Sequence, residues 1–186
     1  MGDRRTPKAT GAEEATSGLD PLTGLGRSSA ALVIGRSAGE RESVARALHR
    51  AHRGADGPFL RVQAAQEEKL LQQAFESWLG GSVQGDSPRL LNRLENGTLF
   101  VDELEALGPG TQKLLAEFLA CLDDAEANDG AEFGPMMSPP WKGQLVTGSE
   151  RSLRGAVKEG RFDENLALRL ERVRIVLDPE QAGPGS

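Results

Sequence analysis

Short runs of apolar residues alternate along the chain with longer stretches in which apolar residues recur every three or four positions. A continuous apolar run predicts a strand that is buried on both faces, and the longer period predicts an amphipathic helix. Strands that alternate with helices indicate a parallel, doubly wound α/β sheet. The predicted strands are residues 31–34, 59–62, 98–101, 144–147 and 173–177.

The stretches between these strands contain the predicted helices. The first helix follows a glycine-rich turn and ends before Gly54, and another begins near Pro109, because proline favours the first helical turn. The stretch 123–140 is acidic and then rich in Gly, Met and Pro, which is typical of a long surface loop. Further helices are predicted at residues 66–79, 89–94, 153–157 and 164–170.

The length of 186 residues is sufficient for one domain with a full hydrophobic core. Residues 1–29 contain too few apolar residues to offset the entropy of ordering, so we expect a flexible N-terminal arm. We expect the α/β core to comprise residues 30–178 and a flexible tail to comprise residues 179–186.

Composition narrows the classes of partner. The chain has 22 Lys and Arg residues against 28 Asp and Glu residues, and the net charge of -6 disfavours attraction to nucleic acid or to an anionic membrane. Cys121 is the single cysteine, so no internal disulfide can form, and no apolar run has the length of a signal-peptide core or a membrane span. We therefore expect a cytoplasmic protein.

The turn after the first predicted strand has features of a phosphate site. Residues 35–41 read Gly-Arg-Ser-Ala-Gly-Glu-Arg, where a phosphate-binding turn reads G-x-x-x-x-G-K. Backbone N–H groups of such a turn, and the positive end of the following helix dipole, converge on an anion. Gly35 supplies the first glycine, whereas Glu40 and Arg41 occupy the positions of the second glycine and the lysine. A glycine turn without any phosphate role is the alternative.

Two adjacent acids, Asp102 and Glu103, follow the apolar run 98–101. A carboxylate that anchors Mg²⁺ beside a second one that activates water is the arrangement that ATP hydrolysis requires. Acids after a strand also cap helices, which is the alternative for this pair. Together, the turn and the acids favour a P-loop NTPase fold.

The chain resembles the AAA+ domain of bacterial enhancer-binding proteins, the activators of sigma-54 RNA polymerase, over most of residues 31–178. The resemblance implies a P-loop NTPase-type doubly wound parallel sheet, an AAA+ core without the family's helical lid. The segments similar to the family's phosphate turn, next strand entry, Walker B segment, arginine-bearing helix and final core strand are 31–49, 57–59, 96–103, 160–170 and 173–175.

The same resemblance implies a degenerate Walker A loop. Arg41 is not a neutral replacement for lysine, because the guanidinium is broader and planar. Glu40 would repel phosphate, since like charges about 4 Å apart repel by roughly 4 kcal/mol at an effective dielectric of about 20. Glu40 could instead act as the anion of its own helix or point to solvent. The altered nucleotide loop comprises Gly35, Ser37, Gly39, Glu40, Arg41 and Glu42.

The other working positions of the family are altered or isolated. Asp102 matches the metal-anchoring position and Glu103 the catalytic one, and both would be vestigial without a bound Mg-nucleotide. Glu150 matches the polar sensor position, where it adds negative charge. Asp163 replaces the first finger arginine, and the second matches Arg169, which could equally be an ordinary ion-paired residue.

Two longer departures concern whole segments. Residues 79–89 lack the GAFTGA signature of the loop with which the family touches the sigma factor. After residue 177 the sequence contains neither the lid with its second sensor arginine nor a helix-turn-helix.

These departures lead to a functional hypothesis: a regulatory protein without catalysis, a pseudo-ATPase that acts by binding an unidentified protein partner as its inhibitor, adaptor or stabiliser. We expect no cofactor, no nucleic-acid or membrane partner and no nucleotide-dependent hexamer. The alternative is a weak or partner-completed ATPase that uses ATP and Mg²⁺, and a sigma-54-dependent transcription activator ranks last. Met136, Met137 and Trp141 indicate either an apolar contact with a partner or a loop that folds onto its own domain.

Overall fold

The computed structural model describes residues 30–51, 56–80, 90–127 and 141–177. Within these ranges strands and helices follow one another in the predicted order, and the predicted arm 1–29 and tail 179–186 lie outside them. A short 3-10 turn, Leu104–Ala106, comes directly after the third strand. The elements are β1 (Ala31–Ile34), α1 (Ala38–Ala51), β2 (Phe59–Gln63), α2 (Ala64–Leu79), α3 (Leu90–Arg93), β3 (Thr98–Asp102), α4 (Pro109–Ala127), β4 (Gln144–Ser149), α5 (Leu153–Lys158), α6 (Glu164–Leu170) and β5 (Arg174–Val176).

The described strands form one sheet in the order β2-β3-β4-β1-β5, and every neighbouring pair is parallel. This confirms the predicted doubly wound parallel sheet. Because parallel strands end at the same edge, the residues that follow β1, β3 and β4 meet at the carboxyl edge of the sheet. The register places Ile34 beside Ser149 and Asp102 beside Gln63.

Alternate residues of each strand point to opposite faces of the sheet, and the helices cover these two faces unequally. On one face, Ala45 and Leu48 of α1 pack in a small cluster with Val33, Phe100 and Val146 of the strands. The other face carries the main core, which α2, α4, α5 and α6 cover. Within the described ranges, no helix is both long enough and apolar enough to cross a membrane.

Trp141 packs against its own domain. Its side chain is 4% exposed, its ring centroid lies 5.5 Å from that of Phe118, and its Nε1 donates to the carbonyl of Leu91 at 2.8 Å. Of the two interpretations of Trp141, the folded-back loop is therefore the one that the contacts fit. Met136 and Met137 lie outside the described residues.

The predicted loop 123–140 is wrong over its first residues, because α4 continues to Ala127. Leu122 remains buried in the core, and Asp123 pairs with arginines of the chain segment around α6. These tertiary contacts extend the helix through a stretch whose acidic residues suggested a loop. Residues 128–140 lie outside the described ranges.

Candidate nucleotide site

The turn between β1 and α1 uses its own groups to begin the helix. The Gly35 N–H donates to the carbonyl of Ser149 at 3.1 Å, which joins the turn to the end of β4. Ser37 then serves as the N-terminal cap, because its Oγ accepts from the Glu40 N–H at 3.3 Å and its carbonyl from the Arg41 N–H at 3.1 Å. The Ser37 hydroxyl thereby satisfies one of the N–H groups that a helix start leaves open, and the Ser37 carbonyl accepts the first regular helix bond.

Arg41 lies inside this turn and is 3% exposed. Its Nε donates to Oδ1 of Asp102 at 2.7 Å. Its Nη1 donates to the Gly35 carbonyl at 2.5 Å and, at the longer distance of 3.4 Å, to the Arg36 carbonyl. The turn is therefore organised around an internal cation, with two of its carbonyls directed at the guanidinium.

Asp102 ends β3 and is fully buried. Each of its oxygens receives a different arginine: Oδ1 accepts from Arg41, and Oδ2 accepts from Nη2 of Arg61 at 3.2 Å. Gly148 on β4 leaves the space that the carboxylate fills, since a Cβ at that position would lie 2.5 Å from Oδ1. Asp102 is thus a buried anion with both oxygens engaged by cations of its own chain.

The charge network extends from Asp102 to the surface of α1. Nη1 of Arg61 donates to Oε2 of Glu42 at 3.2 Å. The other oxygen of Glu42 accepts from Arg46 at 2.7 and 2.9 Å, and the Arg46 guanidinium stacks 4.4 Å above the centroid of the Phe59 ring. Glu42, which belongs to the predicted nucleotide loop, therefore forms ion pairs with Arg46 and Arg61.

The structure places Glu40 and Gly39 on the outside of the first turn of α1, where both are exposed. Glu40 contributes its backbone N–H to the Ser37 cap, and its carboxylate stands near the positive end of the α1 dipole. A phosphate that approached this turn from solvent would meet that negative charge.

Glu103 has a backbone conformation that L residues seldom adopt, with φ 58° and ψ 43°. This left-handed geometry costs roughly 1–2 kcal/mol for a residue other than glycine. The kink lets the Glu103 carbonyl accept from the Ala106 N–H at 2.9 Å and so begins the 3-10 turn. Glu103 therefore directs the chain away from the carboxyl edge immediately after Asp102.

Glu150, at the predicted sensor position, follows β4 and is exposed. Its N–H donates to Oε1 of Glu105 at 3.0 Å, and its carboxylate lies 3.7 Å from the guanidinium of Arg151. Glu150 thus reaches the 3-10 turn through its backbone, while its side chain forms a surface ion pair.

The two positions that match finger arginines have structural partners within the chain. Nη1 of Arg169 on α6 lies 2.5 Å from Oδ2 of Asp123 on α4, which also accepts from Arg172 at 3.0 Å. Asp163 caps α6, because its Oδ1 accepts from the Leu166 N–H at 2.7 Å. The ion-paired alternative for Arg169 agrees with this geometry.

These residues do not fit a Mg-nucleotide. Both oxygens of the carboxylate at the metal-anchoring position bind arginines, and Arg41 bonds to the turn's own carbonyls where a phosphate-binding lysine would reach outward.

The sequence prediction missed two residues of this site, Arg61 and Gly148. Arg61 interrupts the apolar run of β2, and a charge in a buried strand is a signal for an ion pair. Gly148 follows Thr147 in β4 without any local signal, because its role depends on the neighbouring strand.

Comparison with known proteins identifies the family. The model of the sigma-54 interaction domain matches residues 22–176. The regulatory protein AtoC of Escherichia coli is 32% identical over 152 residues, which cover 80% of this chain and 32% of that protein. The chain spans about a fifth to a third of the length of the curated relatives that it matches.

Two solved structures extend the comparison. NtrX from Brucella abortus in complex with ADP superposes with a TM-score of 0.58 at 26% identity, covering 80% of this chain and 32% of that one. The P-loop NTPase domain of the sigma-54 transport activator from Escherichia coli has a TM-score of 0.52 at 18% identity, covering 84% of this chain and 89% of that one, and supports the fold alone.

These matches overturn the hypothesis of a partner-binding inhibitor, adaptor or stabiliser, in which a sigma-54-dependent activator ranked last. That ranking gave too much weight to altered site residues, whereas the family match extends over 22–176 and the relatives are regulatory proteins. The chain belongs to the sigma-54 interaction domain family, and its fold is the AAA+ form of the P-loop NTPase sheet.

Proposed function

We propose that this chain acts in sigma-54-dependent transcription control as a sigma-54 interaction domain whose nucleotide position is filled by its own Arg41. The observation that carries this proposal is the buried ion pair between Arg41 Nε and Asp102 Oδ1, 2.7 Å apart, in which the side chains are 3% and 0% exposed. The domain then works without binding or hydrolysing ATP.

The energy of this pair opposes displacement by a ligand. Removing one partner of a buried ion pair typically costs about 3–5 kcal/mol, because the other charge is left buried without compensation. A Mg-nucleotide would have to separate Arg41 from Asp102 and also replace the bond from Arg41 to the Gly35 carbonyl. NtrX from Brucella abortus, which superposes on this chain, was solved in complex with ADP, so NtrX can serve as the positive control in a nucleotide-binding assay.

Charge works in the same direction. Three arginines, Arg41, Arg46 and Arg61, surround the two carboxylates Asp102 and Glu42. This cluster has a net positive charge and repels a divalent cation, while Glu40 repels phosphate at the entrance by roughly 4 kcal/mol for a phosphate charge about 4 Å away. Mg²⁺ therefore gains nothing from the cluster, and a phosphate has to pass the negative charge of Glu40.

The proposed partner is the sigma-54 factor, because the family is defined by that interaction. Transcription takes place in the cytoplasm, so the proposal also assigns the chain to that compartment. Because residues 79–89 lack the family's contact signature, the proposal requires that another surface of the domain binds the sigma factor.

The nucleotide half of the proposal is tested with a fluorescent ATP analogue, titrated with and without Mg²⁺ against the unaltered chain. We expect no saturable binding and no phosphate release. Arg50→Gln is the control variant, because it removes a positive charge from the exposed side of α1 without altering the buried pair. It should likewise show no binding. Micromolar binding that Asp102→Ala abolishes would contradict the closed site.

The sigma-54 half is tested by titrating purified sigma-54 with the chain and measuring complex formation by fluorescence anisotropy. We expect the same affinity in the absence of nucleotide and in the presence of Mg-ATP. Absence of a complex under both conditions, while an intact family member binds in the same assay, would refute this half.

A further inference from the structure

Arg61 contacts the site from a different element than Arg41. It is the third residue of β2, and the register pairs it with Phe100, two residues before Asp102 on β3. Residues two apart on a strand share a face, so Arg61 and Asp102 point to the same side of the sheet. Helix α1 packs on the same side of the sheet and places Oε2 of Glu42 3.2 Å from Nη1 of Arg61.

The position of the Arg61 guanidinium is set by two carboxylates. Nη2 lies 3.2 Å from Oδ2 of Asp102, and Nη1 lies at the same distance from Oε2 of Glu42. Its Nε is buried and has no hydrogen-bond partner among the described residues. The side chain therefore leaves one donor unsatisfied while both terminal nitrogens face anions, which indicates that these two contacts dominate its placement.

The contact with Asp102 differs from an ordinary surface ion pair. Arg61 is 31% exposed, but Asp102 is fully buried, so Arg61 is the route by which the second oxygen of Asp102 is neutralised. Arg46 holds the opposite oxygen of Glu42 and thereby fixes the carboxylate that steers Arg61. The arrangement is built from α1, β2 and β3 together.

We infer that Arg61 is a second lock on Asp102: its guanidinium stays paired with the carboxylate at the metal-anchoring position even when Arg41 is changed. This inference rests on the proposed closed nucleotide site and extends it: restoring the Walker A glycine and lysine is insufficient to restore Mg²⁺-dependent nucleotide binding while Arg61 remains. Arg61 is a positioning residue, because it acts through Asp102.

The first test is a double-mutant cycle in urea with Arg61→Gln, Asp102→Asn and both changes together. We expect a coupling of about tenfold in the unfolding constant, since paired residues in one network change stability non-additively. The matched control combines Asp102→Asn with Arg50→Gln, an exposed arginine of α1, and should be additive. Additive behaviour of Arg61→Gln with Asp102→Asn overturns the inference.

The second test uses a fluorescent ATP analogue with the variant Glu40→Gly/Arg41→Lys. With Arg61 present we expect Mg²⁺ to leave the affinity unchanged. Adding Arg61→Gln should produce Mg²⁺-dependent tightening of about tenfold, because a like charge no longer faces the metal ion. Mg²⁺-dependent binding while Arg61 is present overturns the second lock, as does an unchanged affinity after Arg61→Gln.

These outcomes are distinguishable from failure of the proposed function. That proposal concerns the unaltered chain and fails if the unaltered chain binds nucleotide. The urea cycle measures the coupling of Arg61 to Asp102 without any nucleotide, so it tests this contact whether or not the unaltered chain binds nucleotide.

Discussion

At the residue scale, Arg41 does what a lysine in its place could not. The planar guanidinium presents donors in fixed directions, so one side chain bonds to the Asp102 carboxylate and to the Gly35 carbonyl at once. A lysine ammonium is a compact charge on a flexible stem and lacks this fork. Arg41 therefore joins the turn after β1 to the end of β3.

Gly148 supports this arrangement through the space that it leaves. We predict that Gly148→Ala lowers the free energy of unfolding by about 1–3 kcal/mol, because overpacking a tight site forces its neighbours to move. The new Cβ would lie 2.5 Å from Oδ1 of Asp102 and 3.1 Å from the Phe100 ring. Urea unfolding measures the change.

Gly155 provides the matched control, because it lies inside α5 with nothing within 4 Å of an added Cβ. Gly155→Ala should raise the free energy of unfolding by up to about 1 kcal/mol, since alanine is the better helix former. Equal effects of the two substitutions would show that the space around Asp102 is not restrictive.

Cys121 on α4 should react slowly with alkylating agents. Burial raises the pKa of its thiol, and the nearby carboxylates of Asp124 and Glu117 raise that pKa further. A higher pKa leaves less of the reactive thiolate at pH 8. Iodoacetamide should therefore modify the folded chain more slowly than it modifies N-acetylcysteine amide, which carries no carboxylate, and added salt should narrow the difference by screening Asp124 and Glu117. Equal rates at low salt would contradict this prediction.

At the element scale, the apolar runs predicted where the strands lie but not where the carboxyl ends of β3 and β4 fall. β3 and β4 extend to Asp102 and Ser149, beyond the predicted ends at residues 101 and 147. These polar residues are buried because partners from other elements satisfy them: arginines for Asp102, and the Arg151 carbonyl for the Ser149 hydroxyl. A hydrophobic pattern contains no information about such partners.

The site was predictable to the extent that it depends on topology. The turn at Gly35 and the acid at Asp102 together predicted the P-loop fold, and in that fold parallel strands end at one edge and bring the two positions close. The contact of Arg61 with Asp102 was not predictable, because it depends on the register of β2 against β3. An apolar run without strict alternation leaves the register of one strand against the next open.

The start of α6 gives an element-scale prediction. We expect Asp163→Ala to lower the free energy of unfolding by about 1 kcal/mol, because the helix loses its N-terminal cap. The cap bond runs from the Leu166 N–H to Oδ1 of Asp163, and the Asp163 N–H in turn donates to Oε1 of Gln112. Thermal unfolding should detect the loss.

Asn165→Ala on the exposed side of the same helix is the control and should leave stability nearly unchanged. Asp163→Arg, which writes the family's arginine into this position, should be no more stable than Asp163→Ala. A variant that matches the unaltered chain would mean that the cap contributes nothing.

At the scale of the whole molecule, the two regions that the family resemblance links to ATP satisfy their charges internally. At the carboxyl edge, Arg41 neutralises Asp102. On α6, Arg169 pairs with Asp123 of α4, a partner in its own chain. The carboxylates at both positions therefore have cationic partners within the described chain.

The oligomeric state should therefore not respond to nucleotide. A ligand shifts an assembly equilibrium only by its difference in affinity for the two states, and under the proposed closed site ATP binds to neither state. Light scattering should give one mass with and without Mg-ATP. The variant Asp123→Asn weakens the ion pair with Arg169 and so tests whether this pair prevents assembly. We expect its mass to stay the same with Mg-ATP, because the variant does not change the proposed closed site at Arg41. A ring that forms only when Mg-ATP is added would refute both the prediction and the closed site from which it follows.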